Sequence, residues 1–113
     1  MSIVIYHNPR CQKSRAALHL LQENNCEFEV VEYLKQNPTA NEIKKLLAKL
    51  KLKAIDLIRT KEPAFAPYKN QSLTNTQYIN LMVEFPVLIE RPIVIKGNKA
   101  IIGRPIEKIL ELI

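Results

Sequence analysis

The chain has 113 residues, 47% hydrophobic and 25% charged, with a net charge of +6 from 17 basic and 11 acidic residues. That is one domain's length, with enough apolar residues for a core. No apolar stretch approaches the roughly 20 residues that span a bilayer. Met1-Ser2 runs straight into a strand-like segment with no signal-peptide pattern, and two cysteines are too few for a secreted framework, so a cytoplasmic setting is expected. Aromatic residues make up 6% and Trp is absent, which argues against a stacking platform for nucleic acid and for a small anion as the partner of the positive charge.

Ile3 to Tyr6 is a fully apolar run of β-type residues, the signature of a strand buried on both faces. A loop at His7-Asn8-Pro9-Arg10 leads to Cys11 at a strand-to-helix junction. A helix N-terminus favours an anion and lowers a thiol pKa, so Cys11 is the candidate nucleophile. Arg10 and Arg15 flank it, and no acidic residue occurs before Glu23. From Ser14, the residues Ala17, Leu18, Leu20 and Leu21 form a broad apolar helical face that stops at Asn24-Asn25. His19 is read as a surface or structural histidine.

Phe28 to Tyr33 reads as a second strand, which completes a right-handed β-α-β unit with parallel strands. Cys26 lies at the far end of the first helix. Ten helical residues rise about 15 Å, beyond the ~7 Å reach of a disulfide, so Cys26 is expected to be structural. Asn37-Pro38 closes the unit. Thr39-Ala40-Asn41-Glu42 is a capping box that opens a helix to about Leu50, with Lys44, Lys45 and Lys49 forming a solvated face opposite Ile43, Leu46 and Leu47. A short helical piece spans Ala54 to Arg59, and Pro63 and Pro67 mark an irregular turn region. Thr74-Asn75-Thr76-Gln77 is a second capping box, opening a helix to Glu84 that stops before Pro86.

Ile93–Lys96, Gly97-Asn98 and Lys99–Ile102 read as a β-hairpin. Pro105 is placed at a helix start, followed by an apolar face of Ile106, Ile109, Leu110 and Ile113. The expected fold is α/β (α+β): a β-α-β / β-β-α mixed sheet in a single domain, residues 1–113, with a helical insertion at about 38–86 between the halves. The five arginines include two that directly precede prolines, Arg91-Pro92 and Arg104-Pro105. Arg suits multi-dentate capture of oxyanions. A phosphatase-type loop needs Arg six positions after the cysteine, where this chain has Ala17, so that chemistry is disfavoured. Cys11-Gln12-Lys13-Ser14 carries no second thiol one turn on. No metal site is expected.

The element order is similar to a thioredoxin-like fold. The words His7-Asn8-Pro9-Arg10-Cys11-Gln12-Lys13-Ser14-Arg15, Arg91-Pro92-Ile93-Val94 and Gly103-Arg104-Pro105 resemble the ArsC family of arsenate reductases, the glutaredoxin-coupled type. The resemblance runs over nearly the whole chain. It implies Cys11 as nucleophile and Arg59, Arg91 and Arg104 as oxyanion ligands. It also implies Pro92 in the cis form, with His7 and Ser14 holding the thiolate by hydrogen bonds. The implied reaction converts arsenate to arsenite through a Cys11 adduct. Glutathione is the implied co-substrate and glutaredoxin the implied partner, with no bound cofactor; a monomer is expected because the sequence leaves no large apolar face over. Two alternatives stand beside it. Spx-type regulators that bind RNA polymerase typically carry a CxxC switch, which Ser14 breaks here. A generic thiol oxidoreductase without arsenate activity would keep Cys11 and lose the substrate.

Overall fold

A computed structural model describes residues 2–113; Met1, where the expected domain begins, lies outside them. Strand β1 (Ile3–Tyr6) runs parallel to β2 (Phe28–Val31), with Ile3 opposite Phe28 and Tyr6 opposite Val31. On its other side β1 runs antiparallel to β3 (Ile93–Lys96), with Tyr6 opposite Ile93. Strand β4 (Lys99–Ile102) pairs antiparallel with β3, giving a four-stranded mixed sheet in the order β2-β1-β3-β4. The apolar run in β1 is explained by this central place. Helix α1 (Gln12–Glu23) supplies the crossover that a parallel pair requires. It ends at Asn24, followed by Asn25 at φ 55°, the left-handed conformation that commonly stops a helix. Gly97 has φ 60°, which suits the first central position of a type II′ hairpin turn.

The chain divides into two compact units. The first holds the residues up to Gln36 and those from Arg91 onward; the second is Asn37–Glu90. The first unit has a core of Ile3, Ile5, Ala17, Leu21, Val94 and Ile109, with Cys26, Phe28 and Leu18 among the residues packed at its margin. Cys11 and Cys26 are both free thiols.

The second unit is helical. Helix α3 (Ala40–Leu50) is opened by the expected capping box: Thr39 Oγ1 accepts from the Glu42 N–H at 3.1 Å, and Glu42 Oε1 accepts from the Thr39 N–H at 3.2 Å. Ile43, Leu46 and Leu47 are buried, while Lys44 and Lys45 face solvent. Helix α4 (Asn75–Glu84) is opened by the Thr74 box in the same way. Ala54–Leu57 forms a short 3-10 helix. Pro63–Tyr68 is also a 3-10 helix, where only irregular turns were expected; Pro63 sits at its start, where a missing N–H leaves no bond unmade.

Two local expectations are corrected. The second strand stops at Val31, and Tyr33–Gln36 turns into a short helix, α2. The ladder ends because its partner strand ends: Val31 pairs with Tyr6, and the Val31 carbonyl accepts the His7 N–H at 2.9 Å. Pro105 is not a first helical residue. The Arg104-Pro105 peptide is cis, as is Arg91-Pro92, and 3-10-type bonds carry the chain from Pro105 into α5 (Lys108–Leu112). A five-residue helix makes only about one and a half turns. It buries Ile109 and leaves Leu110 50% exposed. No helix among the described residues is long and apolar enough to cross a membrane.

Gly103 follows β4 at a point of close approach. Its N–H donates to the Pro92 carbonyl at 2.8 Å, and an added Cβ would lie 3.1 Å from both Pro92 Cγ and Ile109 Cδ1. Gly103→Ala is expected to lower stability by about 1–3 kcal/mol through overpacking. A shift of the urea midpoint with unchanged slope would register it.

Candidate active site around Cys11

The sheet register collects the site. Tyr6 lies opposite Ile93, so the residues after Tyr6 and those before Ile93 emerge at one end of the sheet. Ile93 also lies opposite Ile102, so Gly103 and Arg104 emerge at that end as well. The Cys11 loop, the Arg91-Pro92 turn and Arg104 therefore meet although some eighty residues separate them in sequence. The Arg104 Nε–H donates to the Arg91 carbonyl at 2.7 Å and ties the two arginine segments together.

Among the described residues, the buried polar side chains are His7, Asn8 and Ser14, all from this loop and the first turn of α1. Such groups are tolerated in a protein interior when they are hydrogen-bonded. Ser14 Oγ accepts the Asn8 N–H at 3.0 Å and lies 2.7 Å from His7 Nδ1. Burial lowers the His7 pKa against the opposing pull of Glu32 and the Ser14 backbone, which keeps the ring neutral near pH 7. A neutral ring can accept the Ser14 hydroxyl proton at Nδ1, which satisfies all three groups. The Asn8 carbonyl accepts the Cys11 N–H and its Oδ1 accepts the Arg10 N–H, both at 3.0 Å. Arg15 Nη1 donates to the Pro9 carbonyl at 2.8 Å, so Arg15 braces the loop.

Cys11 is the N-cap residue of α1, with extended φ −93° and ψ 121°. Its sulfur faces the N–H groups of Lys13 and Ser14 without the geometry of a formed capping bond. No acidic residue occupies the first turn. Burial pushes the thiol pKa up, but the Arg91 guanidinium and the two backbone N–H groups outweigh it and hold the pKa below the ordinary thiol value. The effect is mutual. Burial disfavours the Arg91 cation, while the Cys11 thiolate and the Tyr33 hydroxyl favour it, and the balance raises its pKa. Arg91 Nε and Nη1 are buried and make no hydrogen bond within the described residues. An oriented cation beside a nucleophilic thiolate, with N–H donors left over, is suited to a small oxyanion.

Of the residues singled out from sequence, Cys11, His7, Ser14, Arg91, Pro92 and Arg104 belong to the first unit and gather at this end of its sheet. Arg59 belongs to the second unit. There its N–H donates to the Leu88 carbonyl at 2.7 Å and its guanidinium is ion-paired with Glu62. His19 is a surface histidine paired with Glu23. Ser14, read from sequence as a hydrogen-bond partner of the thiolate, faces the sulfur through its backbone N–H, while its hydroxyl is engaged with His7 and Asn8. Two contributors escaped the sequence reading. Asn8 shapes the loop through its backbone and side chain. Tyr33, fully buried, stacks on Tyr6 with ring centroids 6.1 Å apart and lies beside Arg91. Reading Tyr33 as the end of a strand hid it.

The depressed thiol pKa has a testable sign. Cys11 is expected to be alkylated by iodoacetamide at pH values where an ordinary thiol such as free cysteine is still largely protonated. In Arg91→Ala the midpoint of the pH–rate profile, read at the Cys11 peptide by mass spectrometry, is expected to move upward.

The chain matches the ArsC family over residues 6–112. It is 45% identical to the uncharacterized protein YfgD of Escherichia coli, over 98% of this chain and 96% of that one. It is 43% identical to a protein named arsenate reductase in Neisseria meningitidis, over 95% of this chain and 94% of that one. The structure superposes on an arsenate reductase from Vibrio cholerae with a TM-score of 0.95 at 39% identity, covering 100% of this chain and 98% of that one. With its sheet order, its N-cap cysteine and its two Arg-Pro turns, the chain is a thioredoxin-like-fold member of the ArsC family.

Proposed function

We propose that this protein reduces arsenate to arsenite through Cys11, with glutathione and glutaredoxin supplying the electrons. The observation that carries the reading is the pairing of a thiol of lowered pKa with a buried guanidinium whose Nε and Nη1 have no hydrogen bond among the described residues. Relatives named arsenate reductase support it over nearly the full length of the chain.

In the first step the Cys11 thiolate attacks arsenic. A S–As bond forms, and one oxygen leaves as water after taking up two protons. Arsenic stays in the +5 state. Arg91 and Arg104 hold the oxyanion and stabilise charge on its oxygens as the bond order shifts. The half-buried setting strengthens those interactions over their worth in water. In the second step the thiolate of glutathione attacks the Cys11 sulfur. A S–S bond forms, the S–As bond breaks, and its electron pair remains on arsenic, which becomes arsenite. Glutaredoxin then takes the glutathionyl group by thiol–disulfide exchange and frees the Cys11 thiolate. An external thiol is required because Ser14 stands where a resolving cysteine of a CxxC pair would stand. The same residue disfavours a CxxC-switched regulator.

The test is a coupled assay containing arsenate, glutathione, glutaredoxin and glutathione reductase, followed by NADPH consumption. Wild type is expected to turn over in an arsenate-dependent way and Cys11→Ser to be inactive. Arg91→Lys keeps a charge and loses the planar fork; kcat/KM for arsenate is expected to fall about 10²-fold, the order seen when one oriented donor is lost. Absence of arsenate-dependent turnover in the wild type would overturn the assignment.

A further inference from the structure

A hollow of about 270 Å³ lies beside the first turns of α1, lined by Lys13, Ala16, Arg104, Pro105, Ile106 and Glu107, together with Gly103. It shares two groups with the surroundings of Cys11. Lys13 presents its backbone N–H to the sulfur, and Arg104 donates to the carbonyl of Arg91. Lys13 and Ala16 stand three residues apart on α1 and so face the same way. The remaining wall comes from the segment between β4 and α5. Two larger hollows lie elsewhere. One is lined by Lys96, Asn98 and Lys99 at the hairpin turn, the other by Ser2, Glu27 and Glu29 where β1 and β2 begin. Both are at the opposite end of the sheet from the Cys11 loop.

The chemistry of the hollow is specific. Ala16, Pro105 and Ile106 give it an apolar wall, Lys13 and Arg104 contribute two cations, and Glu107 contributes one anion. Its size falls near the low end of small-molecule sites, about 300 Å³. Glutathione, a small thiol with two carboxylates and one ammonium, is complementary to Lys13 and Glu107 in charge and to the apolar wall in its stem. We propose that this hollow is the subsite for the reducing thiol, and that it selects glutathione by meeting a carboxylate with Lys13 and its ammonium with Glu107, Arg104 staying on the oxyanion. The assignment rests on the thiol-dependent reaction proposed above and adds where the reductant binds and which of its groups are read. A thiol seated there approaches the Cys11 sulfur from the face of α1 that carries Lys13.

The subsite can be probed without arsenate, so its failure is separable from failure of the reductase reading. The Cys11 thiolate attacks one sulfur of oxidised glutathione; a mixed disulfide forms on Cys11 and the other glutathione leaves as thiolate, with no net oxidation. The rate is read by mass spectrometry at the Cys11 peptide, which separates it from reaction at Cys26. The neutral bis(2-hydroxyethyl) disulfide serves as reference. Ala16 and Glu107 are exposed, so changes at either position leave the core intact. Ala16→Phe, which fills the hollow, is expected to slow exchange with oxidised glutathione about tenfold and leave the neutral disulfide unaffected. Wild type is expected to prefer oxidised glutathione over its N-acetylated form several-fold, and Glu107→Gln to lose that preference. Equal slowing of the charged and neutral disulfides by Ala16→Phe, no slowing of either, or indifference of the wild type to N-acetylation would each overturn the proposal.

Discussion

A thiol carried into the protein surface tends to keep its proton, and a guanidinium carried in with it looks for an anion. Cys11 and Arg91 answer each other's need. Burial works against the charged form of both, and each lessens that penalty for the other. The compensation is incomplete on the side of Arg91, because Nε and Nη1 remain buried without partners among the described residues. An unmade hydrogen bond of this kind costs about 1–3 kcal/mol. A tetrahedral oxyanion would supply the missing acceptors at the place where the thiolate can reach its central atom. Hydrogen bonds within the loop leave the thiol and the guanidinium free for each other. His7, Asn8 and Ser14 satisfy one another instead of competing for the thiolate.

Much of this was legible in the residues because it is local. The apolar run at Ile3–Tyr6, the two capping boxes and the Gly97-Asn98 turn depend on neighbours within a few positions, and each formed where it was read. Cys11 could be picked out because a strand-to-helix junction is visible in sequence. The misreadings have a common cause. Tyr33 continues the β-type composition of its strand, but the partner strand ends at Tyr6, a fact of the ladder and not of the segment. Pro105 has the composition of a helix start, while its place under Gly103 and Arg104 is set by the packing of the turn on Pro92. For Ser14 the motif identified the residue but not the atom: the hydroxyl serves the loop and the amide serves the sulfur. Arg59 is a different case: family resemblance alone groups it with the other arginines, and no local pattern in the sequence speaks for or against that grouping; within its own unit it pairs with Glu62.

Ser14 also changes the meaning of the missing second thiol. The position one turn after the nucleophile is fully buried and bonded to two loop groups. A cysteine there would have a weaker donor and a larger atom in a place that requires a short, strong hydroxyl bond. The loop that positions Cys11 is therefore packed around a hydroxyl at this position. In the reaction proposed above, an outside thiol takes the part that a second cysteine here would play.

The pairing of Tyr6 with Ile93 sets the tolerance of the site to evolutionary change. Strand registers move in whole residues, about 3.3 Å at a time, and a single step also turns every side chain to the other face. A substitution within β1 or β3 perturbs the alignment of thiol and guanidinium by degrees. An insertion or deletion within either strand carries Arg91 past Cys11 in one stride and points it away. A change of length within either strand is thus an all-or-none event for the site, and the distance between the two charges behaves as a digital quantity, correct or absent.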